Sequence, residues 1–443
     1  MKKEKSCFKQ NIFSITIWGL ILLFRGVHYI GIQWPIMCPD SWGYISLDWN
    51  FFFENFVSNT GQAPVYPTII ALCRVFGEHY LEVVIGLQMI VSLSALVALY
   101  HVLRMLHISY YLRMVLVFLY GASPAVCGWD GCVLTESFSL SCTVWFLFFI
   151  IRYIKVGGSK NAVAATLLTF IMTFLRPQFL YVFAALFLFF ILKSIFEETE
   201  TKTNRKITML MIVQTILILI YCANFKTWYG VFSLSDALPR QNLIVCMERG
   251  YYKEFENTEM AELLDDYVDS GIVDWNGYRL AVERFGNAEI ASQTKRFFQT
   301  HPRQYIRDTM NVMIRDFSSV FRGGDYRTEE DIRAGLPWDM RKILEIQESL
   351  FGNLKVGEIL VVSILEGFAM AYVWIEKKQP PWVHMALFSI SVCTTYLTYF
   401  VTCGEYMRTM NSVLPYFYIM IGLFLQWTCS TPGPESRTRK EIQ

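Results

Sequence analysis

The stretch NIFSITIWGLILLFRGVHYIG, at residues 11–31, decides the class of this fold. It has about the length and apolar character that a helix needs to cross a lipid bilayer. Segments of the same kind recur along the chain, at residues 81–103, 111–128, 132–154, 160–176, 178–196, 207–226, 354–375, 382–402 and 409–428. These segments predict an all-α polytopic membrane protein with about ten transmembrane helices.

Composition also indicates a bilayer environment: of the 443 residues, 54% are hydrophobic and only 17% are charged. A soluble chain carries more charge, and a net charge of +1 gives no reason to expect a nucleic-acid partner. The 11 cysteines form no CxxC pairs, which argues against a zinc ribbon and against a full disulfide framework. Cys127 and Cys132 could bridge across a short outer loop, but helix packing is the favoured role for them.

Lysine and arginine collect on alternate connections between the apolar segments. Because positively charged loops stay in the cytoplasm, both termini and the 197–206 loop are predicted to lie inside. Two longer connections, residues 32–80 and 227–350, are then predicted to lie outside. The first apolar segment is followed by Gln33-Trp34-Pro35 and not by a small-residue cleavage site, so we expect a span and not a signal peptide.

The predicted organisation is an N-terminal membrane core at 1–226, an extracytoplasmic helical region at 227–350, C-terminal transmembrane helices at 351–430 and a cytoplasmic tail at 431–443. In the first outer loop, Thr68 to Phe76 predicts a short juxtamembrane helix, with Pro67 near its start and Gly77 at its end. The extracytoplasmic region shows amphipathic helical patterns, at Tyr278 to Phe298 and at Pro302 to Phe321.

Ionisable residues collect near the predicted outer ends of the spans. Each has an ordinary explanation: Arg25 could snorkel to the headgroups, Glu136 could pair within the bundle, and Arg408 could mark the membrane edge. Charges at this depth cost about 2.5–3.5 kcal/mol and usually face a cavity or a partner. The group shares one side of the membrane with Asp40, which favours a polar cavity open to the outside; its members are Arg25, His28, Glu136, Arg176, Glu405 and Arg408.

Asp40 lies in the stretch CPDSWGY at residues 38–44, on the first outer loop. A polyprenyl-phosphate sugar holds its phosphate at the membrane surface, so an enzyme that uses it needs cations at that level, such as Arg176 and Arg408. The enzyme also needs a base to take the proton from the attacking acceptor, and Asp40 could serve. The competing interpretation is that Asp40 only caps a helix that begins at Ser41.

An ordered series of segments resembles the GT-C superfamily of integral membrane glycosyltransferases, in the branch of protein O-mannosyltransferases and aminoarabinose-lipid transferases. The series covers most of the chain, in order, on the predicted outer side. The segments are PDSWGY at 39–44, GQAPVYP at 61–67, LTES at 134–137, FLRP at 174–177, HPRQY at 301–305 and EYMR at 405–408.

The resemblance implies transfer of a sugar from a polyprenyl-phosphate donor to an envelope lipid, glycan or protein. It implies Asp40 as the catalytic base and a substrate-binding set of Tyr44, Gln62, Tyr66, Glu136, Arg176, Glu405 and Arg408. No cofactor or metal ligand is implied; the chain has one acidic residue where relatives often have a pair, so a divalent metal is compatible but not indicated. The expected location is the bacterial cytoplasmic membrane, with membrane lipids as partners and the active site outside.

Two other classes of function stay open on the sequence. A transporter or flippase of lipid-linked sugars predicts broken helices in symmetric halves and charges near the middle of the membrane. A polymerase or ligase of envelope polysaccharide would rely on arginines in a large late outer loop, and residues 227–350 do carry many arginines.

Overall fold

The computed structural model describes residues 2–31, 34–197, 201–269, 275–321, 338–351, 354–378, 380–401 and 406–430. Helices account for the regular structure of these residues, apart from isolated bridges between Ile36 and Cys132 and between Val320 and Lys355. The predicted all-α polytopic class is therefore confirmed. The predicted tail at 431–443 lies outside the described residues.

The helices before residue 230 form most of the membrane-embedded bundle. In chain order they are α1 Lys2–Gly31, α2 Ser41–Ile45, α3 Trp49–Asn55, α4 Val65–Cys73, α5 Tyr80–Met105, α6 Tyr110–Gly121, α7 Pro124–Cys127, α8 Glu136–Val156, α9 Ser159–Leu175, α10 Phe179–Phe196 and α11 Thr201–Tyr229.

The remaining helices lie first in a more polar part of the sequence and then, from residue 356 onward, in apolar segments. They are α12 Ala237–Glu248, α13 Thr258–Asp269, α14 Trp275–Thr300, α15 Pro302–Arg315, α16 Trp338–Phe351, α17 Val356–Lys377, α18 Trp382–Ser391, α19 Leu397–Val401, α20 Tyr406–Met410 and α21 Leu414–Ser430. The two amphipathic patterns predicted after residue 277 correspond to α14, which is kinked at Gly286, and to α15.

Seven helical segments of the described chain are long and apolar enough to cross a membrane: Lys9–Ile30, Val65–Met105, Glu136–Val156, Phe179–Phe196, Lys202–Tyr229, Val356–Glu376 and Trp382–Val401. The protein is thus an integral membrane protein. Helices α6 and α9 are apolar but shorter, with 12 and 17 residues. A proline lies just beyond the last residue of each of these two helices and explains why the helix stops. Pro124 begins the separate helix α7, and Arg176 adopts an extended backbone before Pro177.

The juxtamembrane helix predicted at Thr68 to Phe76 begins earlier, at Val65, and ends at Cys73. A short 3₁₀ helix follows, and within it Gly77 has a φ of 67°, in the left-handed region that favours glycine. The chain then continues directly into α5. Helix α5 packs along α8, and α8 packs along α9, so these three form the centre of the bundle.

The region between α11 and α17 has an apolar cluster of its own. Helices α12, α13 and α14 meet there around side chains such as Leu243, Tyr252, Leu264 and Ile290. The backbone N of Asp236, just before α12, donates to Gly61 O, so α12 begins close to the end of the bundle that carries Asp40, which we call the Asp40 side.

Candidate functional site

The backbone that carries Asp40 is held against the connection between α7 and α8, residues 128–135, which we call the α7–α8 loop. Ile36 N donates to Gly131 O at 2.9 Å, and Val133 N donates to Ile36 O at 3.0 Å. Ser41 Oγ accepts from Cys38 N at 2.9 Å and donates to Val133 O at 2.8 Å. The turn before α2 is therefore fixed to the α7–α8 loop on both sides of Asp40.

The carboxylate of Asp40 does not cap its helix. Asp40 precedes α2, yet its side chain makes no cap hydrogen bond. Instead Asp40 Oδ2 accepts from Arg408 Nη2 at 2.7 Å. The capping-only interpretation is therefore wrong for this geometry.

Arg408 joins two carboxylates that are far apart in sequence. Its Nε donates to Glu136 Oε1 at 2.5 Å, while its Nη2 holds Asp40. Glu136 is fully buried and also lies 3.4 Å from Arg176 Nη1. The result is an ion-pair chain in the order Asp40, Arg408, Glu136, Arg176. Glu136 thus pairs within the bundle as expected, whereas Arg408 is largely buried and does not simply mark the membrane edge.

Arg25 corrects another expectation. Its side chain is 1% exposed and does not reach the headgroups by snorkelling. It forms an ion pair with Asp130 at 3.2 Å, inside the bundle. Neither Arg25 nor His28 lines the cavity described next.

A cavity of about 480 Å³ lies beside the ion-pair chain. One end is polar and is lined by Asp40, Gln62, Arg176, Arg240, Gln241 and Arg408. The other end is apolar and runs between α10 and α11, where Leu180 to Phe187 faces Ile218 and Cys222. The eight residues from Leu180 to Phe187 cover roughly 10 Å along the axis of α10. The cavity therefore matches an amphiphile with a charged head and a hydrocarbon tail.

The electrostatics of the polar end keep Asp40 ionised. Burial alone would raise the pKa of Asp40, but the guanidiniums of Arg408, Arg240 and Arg176 outweigh it and hold the pKa below its usual value. Between the cavity-lining residues Ser235 and Ala237, burial raises the pKa of Asp236 to about 6, against the opposing effect of Arg240.

Asp236 connects the start of α12 to the loop that carries Gln62. Its backbone N donates to Gly61 O at 2.9 Å. Gly61 has a φ of 72°, and a Cβ there would lie 2.9 Å from Asp236 Oδ2. Asp236 Oδ1 is buried and has no hydrogen-bond partner among the residues that the structure describes. Position 61 thus requires glycine for both its backbone conformation and the close approach of Asp236.

The other predicted site residues divide into two groups. Tyr44 and Gln62 line the cavity. Tyr66 is buried and does not line it; its ring packs on Tyr44 with centroids 5.1 Å apart, and its OH donates to Gln88 Oε1 at 2.7 Å. Glu405 lies outside the described residues.

Sequence reasoning missed Arg240, Gln241 and Gln178, which also line the cavity. Gln178 Nε2 donates to Thr409 O at 3.1 Å and so connects the start of α10 to the helix that carries Arg408. The signal at Gln178 was its position after Arg176-Pro177, a turn that was already singled out. Arg240 had no such signal, because none of the segments that resemble the family includes it.

Two expectations about cysteines and metals can be compared with the geometry. Cys127 and Cys132 are both buried thiols, and no disulfide joins them to each other. Within the described ranges, no group of three or more His, Cys, Asp or Glu side chains is arranged to hold a metal ion.

No protein-family model matches the sequence, and no curated protein matches it significantly. Structures of the Archaeoglobus fulgidus oligosaccharyltransferase are similar in their helix arrangement. The complex with Zn and sulfate has 13% identity and a TM-score of 0.43, covering 93% of this chain and 49% of that one. The apo form has 11% identity and a TM-score of 0.41, covering 93% and 50%.

A third structure is AglB from the same organism in complex with an inhibitory peptide and a dolichol-phosphate. It has 10% identity and a TM-score of 0.41, covering 92% of this chain and 50% of that one. This chain therefore spans about half the length of the structures that it resembles. Because the sequence identities and TM-scores are low, the activity of this protein is argued from the geometry of the site.

Proposed function

We propose that this protein is a membrane glycosyltransferase. It transfers a sugar from a polyprenyl-phosphate-linked donor to a cell-envelope acceptor, which is a lipid, a glycan or a protein. The observation that carries the proposal is the ion-pair chain Asp40, Arg408, Glu136, Arg176 at the polar end of an amphiphilic cavity. The order of GT-C-like segments in the sequence supports it independently.

The donor fits the cavity with its isoprenoid between α10 and α11 and its phosphate among the arginines. Arg176 Nη1 is buried and lies 3.4 Å from Glu136 Oε1 as an ion pair, but among the described residues it makes no hydrogen bond, which leaves an N–H group for a phosphate oxygen. Arg408 contributes its charge from between Asp40 and Glu136. Tyr44 and Gln62 are then placed to contact the sugar or the acceptor, and we keep Tyr66 and Glu405 as predicted binding residues only.

In the proposed reaction the acceptor hydroxyl or amine attacks C1 of the sugar while the bond from C1 to the phosphate oxygen breaks. The proton of the acceptor passes to Asp40, and the lipid phosphate leaves with its charge held by the arginines. Glu136 keeps Arg176 and Arg408 at the same level of the site. No further co-reactant is needed for the atoms and charges to balance.

The proposed topology keeps ten membrane-embedded segments, with α6, α9 and α21 completing the set despite their shorter apolar runs. The termini are proposed to be cytoplasmic and the Asp40 side extracytoplasmic, in the cytoplasmic membrane of a bacterium. The proposed parts are the membrane core at 1–226, the extracytoplasmic region at 227–350, the C-terminal helices at 351–430 and the tail at 431–443.

The test begins with mass spectrometry of envelope lipids, glycans and glycoproteins from wild-type and deletion strains. We expect one glycan modification to disappear and the intact lipid-linked donor to accumulate. Purified protein in proteoliposomes should then release polyprenyl phosphate from that donor only when the acceptor is present. Movement of the intact donor between leaflets without consumption would instead show a flippase, and lengthening or attachment of a polysaccharide would show a polymerase or ligase.

A further inference from the structure

A second polar cluster lies beneath the candidate site, on elements that the substrate cavity does not use. Asp130 of the α7–α8 loop is fully buried, and its partner Arg25 on α1 is 1% exposed. Arg25 Nη1 lies 3.2 Å from Asp130 Oδ2 and also donates to Ser92 Oγ at 2.9 Å. Arg25 Nε donates to Gly121 O at 2.6 Å. The guanidinium therefore joins α1, α5 and α6 to this loop.

Asp130 makes two further hydrogen bonds through its carboxylate. Tyr29 OH donates to Oδ2 at 2.6 Å, and Ser137 Oγ donates to Oδ1 at 2.5 Å. Gln88 Nε2 holds the backbone of the same loop by donating to Asp130 O and Cys132 O, both at 2.9 Å. The loop is thus fixed by side chains from three helices.

Both carboxylates of the ion-pair chain are connected to this loop through neighbouring residues. Glu136 precedes Ser137, whose hydroxyl binds Asp130. Asp40 lies in the turn whose neighbours Ile36 and Ser41 hydrogen-bond to the backbone of Gly131 and Val133. A shift of the α7–α8 loop would therefore move Asp40 and Glu136 relative to Arg408, which comes from the other end of the chain.

Stability alone does not explain why a charged pair occupies this place. Replacing a buried ion pair with well-packed apolar side chains is often neutral or stabilising. A carboxylate that accepts from Arg25, Tyr29 and Ser137 at once does fix the position and direction of the loop in a way that apolar contacts do not.

We propose that Arg25 and Asp130 are positioning residues. They hold the α7–α8 loop in place so that Asp40 and Glu136 both keep their contacts with Arg408. This inference rests on the proposed transfer reaction for its effect on rate. Neither residue touches the cavity, so they act on the substrates only through Asp40 and Glu136.

The mildest test is Ser137→Ala, which removes the link between Asp130 and the start of α8 without leaving a charge unpaired. Ser139→Ala is the matched control, because Ser139 is a buried serine on the same helix whose hydroxyl donates to Thr135 O of its own turn at 2.8 Å. We expect Ser137→Ala to lower kcat by about 10-fold to 100-fold at unchanged donor KM, with the control near wild type. A lower Tm with unchanged kcat per folded molecule would show a merely structural role and overturn the proposal.

Asp130→Asn tests the charge itself, and the double variant Arg25→Gln with Asp130→Asn retains a neutral hydrogen-bonding pair if the single variant does not fold. Hydrogen exchange of the Ile36 and Val133 amides gives a readout that needs no substrate. We expect exchange at these amides to be faster in Ser137→Ala and in a folded Asp130 variant, but not in Ser139→Ala. Should wild type show no transfer while exchange behaves as expected, the proposed function fails and the positioning of the loop stands; equal exchange in all proteins rejects the positioning.

Discussion

Asp40→Asn separates catalysis from structure at the proposed base. Asparagine keeps the size of the side chain and can still accept a hydrogen bond from Arg408, but it cannot take a proton from the acceptor. General-base catalysis contributes on the order of 10²–10⁴ in rate, equivalent to about 3–5.5 kcal/mol in the barrier. We therefore expect transfer to fall by that factor.

The expected loss of stability in the same variant is smaller. At 2.7 Å, the Asp40–Arg408 pair is a charge-assisted hydrogen bond, and such bonds contribute about 1.5–3 kcal/mol net. Asp40 is 30% exposed, so solvent screening puts the loss at or below the lower end of that range. Arg408 also stays anchored by Glu136. Asp40→Asn should therefore fold, insert and bind donor while it loses turnover.

The assay is transfer by the purified variant in proteoliposomes, beside its Tm. Asp48 supplies the control in the same loop, because it is a true helix cap: its Oδ1 accepts from Asn50 N at 2.9 Å and from Phe51 N at 3.4 Å. Asp48→Ala should cost about 1 kcal/mol of stability and leave kcat unchanged. Full activity in Asp40→Asn would refute the base assignment and remove the main support for an enzyme.

Three further predictions follow from the same geometry. Arg176→Gln removes the buried donor group proposed for the phosphate and should lower kcat/KM for the donor by about 10-fold to 100-fold, measured by initial rates. Gly61→Ala strains a φ of 72° and brings Cβ within 2.9 Å of Asp236, so it should lower stability by about 1–3 kcal/mol in thermal unfolding. Asp236→Asn should stabilise the protein at pH values above about 6, the pKa of Asp236, and not at pH 4. The reason is that the buried carboxyl favours the folded state only while it is protonated, and it ionises in the folded protein as the pH rises through that pKa. The gain at about pH 7.5 should be at most about 3 kcal/mol, measured as Tm against pH.

Matched variants make each of these predictions decisive. Arg152 lies on α8 and does not line the cavity, so Arg152→Gln should leave donor kinetics unchanged. Unchanged donor kinetics in Arg176→Gln as well would reject the phosphate role. Gly86 has open space around its Cβ position, so Gly86→Ala should not destabilise. An equal change in Tm for Gly61→Ala and Gly86→Ala would contradict the close approach of Asp236 to residue 61. A constant difference in Tm between wild type and Asp236→Asn from pH 4 to about pH 8 would contradict the raised pKa.

The sequence was sufficient for the helical class, since long apolar runs have few alternatives in a bilayer. It was less reliable for span lengths, because α6 and α9 end at turns that involve Pro124 and Pro177. Apolar composition continues past such turns and hides the break. The number of membrane-crossing helices therefore depends on backbone geometry that hydropathy does not record.

Sequence patterns placed Glu136, Arg176 and Arg408 at one level, and the structure brings them together with Asp40. The pairing itself could not be read, because Arg408 lies 272 residues from Glu136 and 368 from Asp40. Arg25 was misread for a related reason. An arginine near a helix end resembles a snorkelling residue until its partner Asp130, 105 residues away, is seen beside it.

The ion-pair chain has a consequence for how the proposed base would work. Two carboxylates and two guanidiniums balance in charge before any donor binds, and Arg408 holds the pKa of Asp40 below its usual value. A donor phosphate in the cavity would compete with Asp40 for the charge of Arg408. As that contact weakens, burial acts on Asp40 with less opposition, and its pKa rises toward the range where it accepts a proton readily. Binding of the donor is thus expected to raise the pKa of Asp40 and to make it a better base for the acceptor.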